Sequence, residues 1–200
     1  MYTIVGLGNP GGEYERTRHN AGRRIVEKLA TENDISLKDK KKPDHGVGTG
    51  DIDGARVRVL VPDTFMNNSG KAITPYIKTV PAAKKLIVVY DDIDLPLGVV
   101  RVSFGSSAAG HNGVKSIERA VKTKNFIKIR VGVAKKVRGK AKKPVGNDAV
   151  VDYLLSGFTK GELDMIDTAM YERALLAINT ILDTGDPTLG MNAVNGLPVE

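Results

Sequence analysis

The sequence predicts an α/β fold: a single domain in which a mixed, mostly parallel twisted sheet carries helices on both faces. Three observations predict it. Strand-like and helix-like segments alternate along the chain, the pattern of connected β–α units. The stretch Leu86 to Tyr90 is apolar at every position, which marks a strand buried on both of its faces. Finally, 200 residues with 41% hydrophobic content suffice for one sizeable core.

Taken in order, Tyr2 to Gly6 is apolar and β-prone, and Ala21 to Glu32 sets Ile25, Val26, Leu29 and Ala30 at helical spacing. Val57, Val59 and Val61 alternate with other residues in Arg56 to Val61. The preceding Asp53-Gly54 is a hairpin signal that pairs this strand with one near Val47 to Ile52. Ser69 to Val80 reads as a helix with Pro75 in its early turns or kinking it. After the buried strand at Leu86, further strands are expected at Val99 to Phe104 and Ile127 to Val133, with a helix at Asn112 to Lys122 between them. Thr159 and Glu162 have capping-box spacing before a long helix bearing Leu163, Ile166, Met170, Leu175, Ile178 and Ile181, which Gly185 and Pro187 end. The domain is expected to span residues 1–190. Few apolar side chains follow Gly190, so residues 191–200 read as a partly ordered tail.

Composition excludes several function classes. Without cysteine there is no disulfide, thiolate nucleophile or Cys-ligated zinc. No apolar run approaches the roughly 18–20 residues that cross a bilayer, so no membrane partner is expected. Met1 leads almost directly into the first strand, so no leader is expected and the cytoplasm is the expected location. A net charge of +7 points to a polyanionic partner. Basic residues cluster at Lys38 to Lys42, Lys122 to Arg130 and Lys135 to Lys143, and solvated loops are the bland account of them. With 5% aromatics and no Trp, base stacking on a sheet surface is not expected.

Gly6-Leu7-Gly8-Asn9-Pro10-Gly11 matches the dinucleotide pattern G-x-G-x-x-G after a strand. Pro10 disfavours helical geometry at Asn9, where a phosphate-binding helix should begin, and Glu32 and Asp34 end a helix instead of a second parallel strand. A glycine-rich turn is the better reading. More informative are Asn9, Asn67, Asp91 and Asn112, which fall at strand ends or helix starts, with His19 just before the first helix. Open α/β sheets gather ligands and catalytic groups at such positions. Each Asn alone is equally explained by capping or turn formation. His111, between Gly110 and Gly113, is as readily structural as catalytic, and His45 reads as a loop residue. As a set they suggest one device: a His paired with a carboxylate as general base on water, and Asn amides as donors to a developing oxyanion. No G-x-S-x-G elbow and no zinc-binding histidine spacing is present, so direct water attack on an activated carbonyl such as an ester remains.

At these residues the chain resembles the bacterial-type peptidyl-tRNA hydrolase family. Ile4 to Gly11, Tyr14 and Thr17-Arg18-His19-Asn20-Ala21-Gly22 are similar to its first signature, and Thr64 to Lys71 to its second. Asp91 to Gly98 and Gly110-His111-Asn112-Gly113 resemble the third and fourth, with weaker likeness at Asp152 to Leu155 and Met191-Asn192. The resemblance implies a monomeric, metal-free and cofactor-free esterase that frees tRNA from prematurely released peptidyl-tRNA, in translation quality control. His19 would be the general base and Asp91 its partner, while Asn9 would tell N-blocked from free aminoacyl substrate. Tyr14, Phe65, Met66, Asn67, His111 and Asn112 would line the site for the 3′ CCA end and peptide, with Asn112 also orienting water. Arg130 and the other basic residues would hold acceptor-stem phosphates. The chain departs from the family pattern at Tyr90, Ser103, Ser106 to Ala109 and Ala134-Lys135-Lys136. Two other readings stay open: an RNA-binding protein that uses this fold without turnover, and a nucleotide-dependent enzyme resting on the glycine pattern.

Overall fold

A computed structural model describes residues 1–41, 44–138 and 140–198. Its sheet runs β2-β3-β4-β1-β5-β7-β6. The strands are β1 Tyr2–Gly6, β2 Lys38–Lys41, β3 Asp44–Ile52, β4 Ala55–Pro62, β5 Leu86–Pro96, β6 Val100–Phe104 and β7 Ile127–Val137. The centre, β4-β1-β5-β7, is parallel, and both flanks are antiparallel. A further strand, β8 Lys140–Lys142, pairs with the far end of β7 to make a short ribbon beyond the main sheet.

The apolar run in β5 is covered on both faces. Ile87 and Val89 join a core with α1 (Ala21–Glu32) and the C-terminal helices, through Ile25, Leu29, Ala174, Ile178 and Ile181. Leu86, Val88 and Tyr90 face the opposite way, onto α2 (Ser69–Ile73) and α4 (Asn112–Val121). Helix α1 lies so close to β5 that a Cβ at Gly22 would collide with the Val89 carbonyl. This close approach sets the turn just before α1 against the carboxyl end of β5. Ile52 pairs with Ala55 across Asp53 (φ 47°) and Gly54 (φ 78°), the two left-handed residues of a tight hairpin turn.

Several elements differ from expectation. The helix expected from Ser69 to Val80 stops at Ile73, because Pro75 has no N–H to continue it; Val80–Ala83 forms a separate short helix, α3, capped by Thr79. Lys38–Lys41, a basic cluster whose bland account was a solvated loop, is an edge strand, while Lys42 lies outside the described residues. His45 sits buried in β3, its Nε2 2.6 Å from the Tyr76 hydroxyl. The capping box forms at Thr159 and Glu162, but the long helix is three pieces: α6 Lys160–Met165, a π-helical turn Ile166–Met170 and α7 Tyr171–Thr184. The expected tail boundary falls inside another helix, α8 Pro187–Asn195, capped by Asp186. It is held by close packing, not by many apolar side chains: a Cβ at Gly190 would collide with Ile181, and the Asn195 amide pairs with both Val102 N–H and C=O. Val199 and Glu200 lie outside the described residues. Among those described, no helix is long and apolar enough to cross a membrane.

Candidate active site

The carboxyl ends of β1, β4 and β5 open into a cleft of about 990 Å³. Asn9 comes from the loop after β1, Phe65 to Asn68 from the turn after β4, Asp91 from β5, and His111 with Asn112 from the start of α4. His19 arrives on a 3-10 turn, Arg18–Asn20, that feeds α1. The glycines after β1 lead into this loop and not directly into a helix; the first turn of α1 packs against them, with Arg23 N–H donating to the Leu7 carbonyl.

Asp91 is the centre of the arrangement. Its side chain is 1% exposed, and both carboxylate oxygens lie close to His19 Nδ1, at 2.9 and 3.0 Å. His111 Nε2 lies 2.9 Å from the same carboxylate. The Val114 N–H donates to His111 Nδ1 at 3.2 Å, which fixes the tautomer: the proton sits on Nε2 and is donated to Asp91. His19 in turn donates Nδ1–H to Asp91 and presents a bare Nε2. Burial pulls the His19 pKa down, but the Asp91 charge and hydrogen bond together more than offset this and leave it above the ordinary value. Burial pushes the Asp91 carboxyl up, but the imidazoles of His19 and His111 hold it well below the usual carboxylate range.

His19, Asp91 and His111 also bring three potential metal-ligand atoms within 4.8 Å of one another. The tautomer argues against that use. With its Nδ1 lone pair already accepting from Val114, His111 offers a proton at Nε2 and not a lone pair.

Asn9 is held on three sides. Its N–H donates to Asn20 Oδ1 at 2.8 Å, its carbonyl accepts from Asn20 Nδ2 at 2.9 Å, and its Oδ1 accepts from the Met66 N–H at 2.9 Å. The amide Nδ2 is then left to donate. Asn67 and Asn112 are exposed on the cleft wall, as is Phe65 at 57%. Tyr14 does not reach the cleft surface but stacks edge-on against Phe65, with centroids 6.4 Å apart. Arg130 also stands back from the cleft, its Nε 2.6 Å from Asp92. Lys128, grouped with the surface cations in the sequence, is fully buried: its Nζ binds the Ser106 and Lys124 carbonyls and lies 3.8 Å from the Phe126 ring centroid. Strand alternation turns it to the face opposite Ile127 and Ile129, under α4, where Glu118 lies 3.5 Å from Nζ.

Sequence reasoning missed two features. Asn20 is the brace of Asn9; it stood inside the first signature beside His19, but nothing there pointed to this role. The far wall of the cleft is α5 (Asn147–Leu155), which presents Val150, Val151, Leu154 and Leu155. Its apolar side chains mostly line the cavity, with only Leu154 also packing on the core, so no strong periodicity marked it.

A model of the peptidyl-tRNA hydrolase family matches residues 3–200. The chain belongs to this family. It is 41% identical over 172 residues to the peptidyl-tRNA hydrolase of Bacillus subtilis, covering 85% of this chain and 86% of that one. To the peptidyl-tRNA hydrolase of Alkaliphilus oremlandii it is 40% identical over 200 residues, 98% and 100% of the two chains. Among solved structures, peptidyl-tRNA hydrolase from Acinetobacter baumannii superposes with a TM-score of 0.87 at 33% identity, over 100% of this chain and 97% of that one. The expectation of a single α/β domain with a mixed sheet agrees with this family fold.

Proposed function

We propose that this cleft hydrolyses the ester between an N-blocked peptide and the 3′ end of tRNA, using a water that His19 deprotonates. Family membership supports the reaction, and one observation carries the mechanism: Asp91 occupies His19 Nδ1, so the free Nε2 is the base. Water gives a proton to Nε2 while its oxygen attacks the ester carbonyl carbon. Asp91 stabilises the imidazolium that results, and His111 keeps Asp91 charged and oriented. The tetrahedral intermediate collapses by breaking the bond to the ribose 3′ oxygen, which takes the proton back from Nε2. The products are tRNA with a free hydroxyl and the N-blocked acid.

The asparagine amides surround this centre. Asn9 Nδ2 donates to a carbonyl that an N-blocked substrate has and a free aminoacyl group lacks. Asn112 orients the water, and Asn67 with Phe65, Met66 and Tyr14 shapes the seat of the CCA end and peptide. Arg130 and the basic surface hold acceptor-stem phosphates. No step needs a metal or cofactor. The same reading makes the protein a cytoplasmic monomer in translation quality control.

The test is release of free tRNA from N-acetyl-aminoacyl-tRNA with a chelator present, with unblocked aminoacyl-tRNA alongside. Turnover of the blocked ester alone, unaffected by chelation, is expected. Tight tRNA binding with no release would make the chain an RNA-binding protein that has kept the fold.

A further inference from the structure

Arg18, the residue before His19, has no place in the chemistry above, yet it is 7% exposed and heavily bonded. Its Nη1 donates to the Gly157 carbonyl at 2.6 Å and to Ser156 Oγ at 3.1 Å, and its Nη2 lies 3.0 Å from both oxygens of Glu162. The guanidinium is flanked by two rings, Tyr153 at 4.6 Å and Phe158 at 5.0 Å from their centroids. The backbone joins in as well. Arg18 N–H donates to the Ser156 carbonyl, Phe158 N–H to the Arg16 carbonyl, and Thr17 forms a β-bridge with Gly157.

All of these partners lie at the end of α5 or the start of α6. Helix α5 needs such an anchor, because none of its residues is buried. Tyr153 Oη holds the Val133 carbonyl, and before the helix Lys143 pairs with Asp94. Leu154 packs half-buried on the core margin, and among the described residues the remaining hydrogen bonds from the end of α5 to other elements run through the Arg16 to Arg18 segment.

We propose that Arg18 is a positioning residue that pins the α5 wall of the cleft at a fixed distance from His19, so that Val150, Val151, Leu154 and Leu155 seat an apolar peptide side chain beside the base. The proposal rests on the hydrolase reading. A lysine cannot reproduce it: one ammonium has neither the planar fork that grips Glu162 and Gly157 together nor the flat face that two rings enclose.

The experiment compares wild type with Arg18→Lys and Glu162→Gln; the second keeps the arginine in case the first fails to fold. Arg24→Gln, which breaks the remote ion pair to Asp167, serves as the stability control. Two N-acetylated tRNA esters are used, one glycyl and one leucyl. Wild type should favour the leucyl ester, and both wall variants should reduce that preference about tenfold, chiefly through KM, while the control keeps it. Amide hydrogen exchange across residues 147–155 should speed up at least tenfold in the wall variants alone. An unchanged leucyl-to-glycyl ratio, or unchanged exchange in α5, would overturn the proposal, since a merely structural arginine would slow both esters alike. If wild type released tRNA from neither ester, the hydrolase reading would fall, and the exchange data alone would decide whether Arg18 holds the wall.

Discussion

At the scale of single residues, the site is a question of which nitrogen carries which proton. His19, Asp91 and the three asparagines could be picked out as a set because each was expected at a strand end or helix start, where open sheets place their chemistry, although β5 in fact runs on past Asp91 to Pro96. The pairing of His19 with Asp91, 72 positions apart, came from the family resemblance and not from spacing, and the bonds that hold Asn9 to Asn20 and Met66 were not legible at all. His111 shows the limit well: a structural and a catalytic role looked like alternatives, and in the structure one ring nitrogen caps α4 while the other meets Asp91. Two outcomes follow from the protonation scheme. His19→Ala should cost roughly 10² to 10⁴ in turnover, the usual contribution of a general base, with tRNA affinity largely kept. Wild-type-like single-turnover rates in that variant would remove His19 from the mechanism. Asp91→Asn tests the sign of the coupling. Catalysis needs neutral His19, so activity falls as pH drops through its pKa, which Asp91 raises. Replacing that charge should move the acidic limb of kcat/KM to lower pH and lower the plateau. A limb that stays put, measured on the same substrate, would mean that the carboxylate does not govern His19.

At the scale of elements, strands and amphipathic helices could be read wherever one face meets the core. Helix α1 falls where the apolar spacing of Ile25, Val26, Leu29 and Ala30 put it, and the β3–β4 hairpin turns at Asp53-Gly54. Elements held by other means were missed. Helix α8 has only Gly190 and Val194 buried; Met191 and Ala193 pack on the core margin, and close approach at Gly190 with one amide adds to a docking too sparse to leave a strong apolar pattern. That amide can be tested. Asn195 satisfies both the N–H and the C=O of Val102, which is 2% exposed on the edge strand β6. Asn195→Ala strands two buried groups, and each costs about 1–3 kcal/mol when left unpaired. Urea unfolding should show a lower midpoint with an unchanged slope, while kcat/KM at a temperature where both proteins are folded stays the same. A stability equal to wild type would show that water replaces the amide and that α8 is held by its helix contacts alone.

At the scale of the whole molecule, the +7 charge has to be divided into cations that are spent and cations that are available. Lys128 is buried, and Arg130 is committed to Asp92. The β7–β8 ribbon is different. Lys135 and Lys142 stand directly opposite each other across the two strands, both exposed, a like-charge pair that costs stability unless an anion lies between them. Phosphates of a bound tRNA would supply that anion and release their counterions. Changing both lysines to Ala should therefore weaken tRNA binding and reduce the slope of log affinity against log salt by roughly 1.5 to 2, given about 0.9 per duplex phosphate neutralised. Arg130→Ala should give a smaller loss, because Asp92 already neutralises it. The chemistry on bound substrate should hardly change in either variant. Asn112→Ala should do the reverse: removing a donor that orients the attacking group can cost roughly 10² to 10³ in single-turnover rate, with the salt slope kept. Filter binding across a salt series, paired with single-turnover hydrolysis at saturating enzyme, separates the two effects. If the double lysine variant kept both the affinity and the slope of wild type, the ribbon would be a solvated arm, and the phosphates would have to be held on another face of the molecule.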